Sequence, residues 1–98
     1  MSSKEKILER TIRENEIEDA GVFYSYKLTS RENRNHASFK IPLYSILVSM
    51  TDKDGSVTSA SVDDAFCDAG QALIFYDKVV RNLATPIDLS YIFEDEMH

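Results

Sequence analysis

Cysteine occurs once in the 98 residues, tryptophan not at all, proline twice and glycine three times. A single thiol excludes an internal disulfide framework and any zinc site built from several cysteines. So little glycine and proline excludes a collagen-like repeat or a low-complexity linker, and 43% apolar residues exclude an acidic disordered tail. Long hydrophobic runs are also missing. The longest mainly apolar stretch, residues 41–50, is about half of a membrane-spanning helix and contains Pro42 and two serines. Met1-Ser2-Ser3-Lys4-Glu5-Lys6 leads into mixed charge rather than an apolar segment, so no signal peptide is expected. With one thiol and no Asn-x-Ser/Thr acceptor, a cytoplasmic, reducing setting is the expectation.

Positive charge is scarce as well. Eleven Lys and Arg stand against 17 Asp and Glu, and the net charge of −6 opposes binding to nucleic acid or to an anionic membrane. The deficit is uneven. Residues 1–50 carry 8 basic and 7 acidic side chains, whereas residues 51–98 carry only Lys53, Lys78 and Arg81 against 10 acidic ones.

A chain of this length makes one domain over residues 1–98. Residues 2–19 read as a helix: Ser2 and Glu5 have capping-box spacing, and Ile7, Leu8, Thr11 and Ile12 form a narrow apolar stripe ended by Ala20-Gly21. From Val22 the period becomes two, with Tyr24, Tyr26 and Leu28 on one side, and residues 30–36 read as an exposed hairpin loop. The second strand changes phase, from Phe39, Ile41 and Leu43 to Tyr44, Ile46, Val48 and Met50. A bulge or bend near Pro42 is therefore expected. Asp52-Lys53-Asp54-Gly55 makes a tight turn, and residues 56–62 complete the meander. Ala72, Leu73, Tyr76, Val79, Val80 and Leu83 mark a helix from about Asp68, and Thr85-Pro86 with Asp88 in the first turn starts another. The expected fold is α+β: a three-stranded antiparallel meander with one N-terminal and two C-terminal helices, in the order α-β-β-β-α-α.

Tyr44-Ser45-Ile46, the turn at residues 52–55, the amphipathic helix and the ending Leu83-Ala84-Thr85-Pro86-Ile87-Asp88-Leu89 through Glu94-Asp95 carry a resemblance. Over roughly three quarters of its length the chain resembles a family of short, functionally uncharacterised proteins of anaerobic Gram-positive bacteria. The chain departs from that pattern at Asp88, where the family tends to have His. The resemblance implies a fold and no activity.

No constellation of residues supplies chemistry. With Gly55 at the sixth position of a calcium loop, Met50 and Ser61 fall where the first ligand and the bidentate Glu belong, so the motif fails at both ends. Asp63, Asp64 and Asp68 could hold a hard cation, but carboxylates before a helix are explained by its dipole. Cys67 lies among these acids, which disfavour a thiolate, and only His36 and His98 could serve as its base. No catalytic residue, metal or cofactor is therefore assigned, and the chain reads as a non-enzyme.

Two surface features remain. Asp63, Asp64, Asp68, Asp88, Glu94, Asp95 and Glu96, with the off-stripe Phe75, read as an acidic surface for a basic protein partner. Off-stripe Phe66, Ile74 and Tyr91 extend this to a possible homodimer contact. An alternative is an inhibitor that imitates nucleic acid, as phage-encoded inhibitors of host defence nucleases do. A further alternative is nucleic-acid contact through the basic hairpin residues Lys27, Arg31, Arg34 and Lys40.

Overall fold

Pairing partners, more than local propensity, decide the first element. The computed structural model describes residues 9–33 and 41–96. It contains four strands, β1 (Glu9–Asp19), β2 (Val22–Asn33), β3 (Ile41–Thr51) and β4 (Val57–Phe66), followed by α1 (Ala69–Arg81) and α2 (Pro86–Glu96). The strands form one antiparallel sheet in the order β1-β2-β3-β4. The class is α+β, but residues 9–19 of the expected N-terminal helix are a strand, and the rest of that segment lies outside the described residues. Every side chain of β1 is exposed except half-buried Ile17, so no apolar alternation announces the strand. Its Glu and Arg residues favour a helix in isolation; hydrogen bonding along β2 overrides that preference. Ala20 and Gly21, both at left-handed φ (54° and 83°), are the two-residue hairpin turn joining β1 to β2. The left-handed φ favours glycine at 21, and a Cβ there would also come within 3.2 Å of the Lys53 side chain, which would have to shift.

Alternation then builds the core. Tyr26 and Leu28 of β2 and Ile46 and Val48 of β3 are fully buried on one face, where Ala72, Phe75, Tyr76 and Val79 of α1 and Leu89 of α2 cover them. The Tyr26 hydroxyl donates to the Ala84 carbonyl at 2.8 Å, tying the sheet to the link between the helices. Tyr76 donates from α1 to Asn15 Oδ1 of β1 at 2.7 Å, with the Tyr26 carbonyl 3.1 Å away.

The phase change in β3 is resolved differently from the expectation. Pairing between β2 and β3 is regular through Glu32↔Pro42, with no bulge there. The even residues face the helices, while Leu43 and Leu47 face the other way; Phe39 lies outside the described residues. The irregularities fall instead at Ile12 in β1 and opposite Ser45 in β4. Pro42 is nonetheless edge-like, since β4 ends at Phe66 opposite Tyr44 and leaves residue 42 paired on one side only.

The turns and caps follow local chemistry. Gly55 (φ 90°) donates to the Asp52 carbonyl and Ser56 N–H to Asp54 Oδ1 at 3.0 Å, a bond that holds the Asp54 carboxyl below its usual range. Asp68 caps α1 by accepting from Gln71 N–H at 2.9 Å. Thr85 and Asp88 form a reciprocal cap on α2, with Asp88 N–H to Thr85 Oγ1 at 3.2 Å and Thr85 N–H to Asp88 Oδ2 at 3.1 Å.

Candidate functional site

Both helices lie on one face of the sheet, and no described element covers the other. Strand alternation sets what that open face displays. Glu18, Glu16 and Glu14 of β1 pair with Phe23, Ser25 and Lys27 of β2, and beyond the irregularity at Ile12, Thr11 and Glu9 pair with Thr29 and Arg31. The rows continue through Thr51, Ser49, Leu47, Ser45 and Leu43 of β3. In β4, Ser59 and Ser61 extend them, and the hydroxyls of Ser49 and Ser59 lie 2.8 Å apart. Such a face is mixed: hydroxyls and charges that need no apolar cover surround the exposed Phe23, Leu47 and Val57.

A concavity of about 500 Å³ occupies one end of this face, lined by Thr11, Lys27, Thr29, Ser45, Ser61 and Asp63 among others. Arg31 crosses it to Asp64, with Nε 2.9 Å from Oδ1 and Nη2 against Oδ2. The hydrogen-bonded guanidinium holds the Asp64 carboxyl below its usual range, against partial burial that pushes the other way. The same bond and the carboxylate charge raise the Arg31 pKa. Asp64 sits at left-handed φ (53°), where β4 carries extra residues opposite Ser45, and its N–H donates to Ser45 Oγ at 2.8 Å. The bulge thus aims this carboxylate into the open face.

The residues expected to form an acidic partner surface are distributed over three places. Asp63 and Asp64 lie on the open face, Asp68 and Asp88 cap the two helices, and Glu94, Asp95 and Glu96 form the last turn of α2, where Glu96 pairs with Lys78. Phe75, expected at the surface, is only 2% exposed and packs with Phe66 and Phe93 at ring-centre distances of 5.4 and 5.8 Å. The reason is that α1 turns the Ala72–Phe75–Tyr76–Val79 face to the sheet, leaving Leu73 and Val80 at its margins. Ile74 and Tyr91 are exposed. Of the basic hairpin, Arg31 is bound to Asp64 and Lys27 stands opposite Glu14, while Arg34 and Lys40 lie outside the described residues.

Cys67 is a free, exposed thiol just before the α1 cap; His36 and His98 lie outside the described residues. Asp63, Asp64 and Asp68 do not converge, and among the described residues no three His, Cys, Asp or Glu side chains gather as a metal site would require. No helix among the described residues is long and apolar enough to cross a membrane.

Sequence reasoning missed Glu9, Glu14, Glu16 and Glu18. On the open face these four carboxylates, with Asp63 and Asp64, outnumber the two cations Lys27 and Arg31. The signal was present as Glu at alternate positions 14, 16 and 18, a period that a helix does not need and a strand converts into a row.

A family model described as a family of unknown function, DUF6514, matches residues 5–98, and the chain belongs to that family. No curated protein and no solved structure matches the chain.

Proposed function

We propose that this member of the family is a non-enzymatic interaction module that binds a basic surface of another protein through the open face of its sheet. The observation that supports the reading is the row Glu14, Glu16 and Glu18 beside an uncovered, hydroxyl-rich face. Complementary charge of this kind speeds encounter and rejects wrong partners. The acids at the helix starts are engaged in capping, so the proposal shifts the docking surface toward β1 and retains Asp63 and Asp64 at its far side. Action in the cytoplasm, and a distribution among anaerobic Gram-positive bacteria, belong to the same reading.

The test is capture from a native lysate by the immobilised full chain, with mass and stoichiometry of the captured protein determined. Glu14→Gln, Glu16→Gln and Glu18→Gln combined should abolish the capture and its salt sensitivity, whereas Glu94→Gln with Asp95→Asn should leave both intact. Capture unaffected by the β1 substitutions refutes the reading.

The row also favours a second reading, inhibition by imitation of nucleic acid. Alternate strand positions set the three carboxylates about 6.8 Å apart, a regular line of negative charge such as a nucleic-acid backbone presents. In this case DNA or RNA competes the captured protein off the chain, and that protein is itself a nucleic-acid-binding one. For an ordinary adaptor, added nucleic acid of matched ionic strength leaves the complex in place.

A further inference from the structure

We infer that the outer edge of β1 is a strand-pairing site for an extended basic segment of the partner, with Lys or Arg at every second position. This deepens the proposed function and rests on it. β1 is an edge strand: β2 pairs with one side of it, and among the described residues no strand pairs with the other. Its free side therefore presents backbone N–H and C=O groups ready for an added strand. The irregularity at Ile12 interrupts the ladder, so the regular edge is residues 13–19. Over that length the open-face side chains are Glu14, Glu16 and Glu18, and the helix-face side chains are Arg13, Asn15, Ile17 and Asp19.

An incoming strand shares these two faces. Its alternate side chains fall about 4.5–5.5 Å (Cβ to Cβ) from those of β1, so three successive outward residues meet three carboxylates. Cations at those positions make three opposite-charge pairs, and β-branched residues between them fit beside Asn15 and Ile17. A second copy of the chain does not suit the edge. Every open-face residue of this stretch is Glu, so self-pairing sets carboxylates against one another, which is destabilising. The same charge that keeps copies apart selects a basic guest.

The test uses the full chain and three synthetic peptides. One alternates Lys and Thr, one has the same composition with the lysines in a block, and one is the alternating peptide with N-methyl groups on the amides that would face β1. Calorimetry at low salt should show the alternating peptide binding at least about tenfold more tightly than either relative, since N-methylation removes main-chain hydrogen bonds and the block order removes most of the opposite-charge pairs. Amide exchange should slow in residues 13–19. Glu14→Gln, Glu16→Gln and Glu18→Gln combined should remove the binding while leaving the thermal midpoint unchanged.

Equal affinity for the N-methylated or block peptide overturns the inference, as does no binding of the alternating one. If that happens while charge-dependent capture from the lysate persists, only the docking mode is wrong. If the β1 substitutions leave that capture unaltered, the proposed function falls with it.

Discussion

Two tyrosines connect the layers through single hydroxyls. Tyr26 is fully buried and donates to Ala84, and Tyr76 donates to Asn15. Tyr26→Phe keeps the ring and strands the Ala84 carbonyl; a urea titration should show a loss of about 1–2 kcal/mol. Burial pushes both phenols up to about 12. Because the folded value is raised, the corresponding stability is complete below the ordinary tyrosine pKa of about 10 and is lost as pH rises through the folded one. Asp64 behaves in the opposite sense. Its carboxyl is depressed by Arg31, so its contribution is present above the ordinary Asp value of about 3.9 and is lost as pH falls through the lower folded value. Asp64→Asn tolerates the left-handed backbone and removes the charge. Unfolding midpoints should show the wild type more stable than this variant near neutrality, with the gap closing in acid below the ordinary Asp value. A gap independent of pH contradicts the role given to the ion pair.

Elements differ in how much of themselves they disclose. β2 carries its burial as strict alternation, Tyr24, Tyr26 and Leu28 inward, and α1 carries its own as a 3.6-residue stripe; both are legible because each buries one face against the same core. The turn at Asp52–Gly55 and the cap at Thr85–Asp88 are legible because their hydrogen bonds are local. β1 is not legible in this way. It buries almost nothing, and what selects its strand form is a partner several residues away in sequence. The acidic row was hidden for the same reason, since Glu14, Glu16 and Glu18 align only once the segment is extended. Asp68 was legible as part of a helix start, and the structure makes it the cap itself. Asp68→Ala should cost about 1 kcal/mol in a thermal or denaturant melt by exposing the Gln71 N–H. No change would mean that the cap is made by water instead.

At the scale of the molecule, the chain is a slab of two layers, with extents of 48 × 37 × 18 Å. One side of the sheet is spent on the helices. Among the described residues the other presents hydroxyls, six carboxylates and two cations around the exposed Phe23, Leu47 and Val57, a composition in which charge guides docking and the apolar side chains add contact area. The helix layer offers a different surface, with Ile74, Ile87 and Tyr91 exposed. These two sides face apart, so a bound partner discriminates between them. Amide hydrogen exchange of the whole chain, free and saturated with the captured protein, reads that choice directly. The account predicts slowed exchange in β1, chiefly residues 13–19, with α2 unchanged. Slowing confined to the exposed turns of α2, with β1 exchanging as in the free chain, would contradict it.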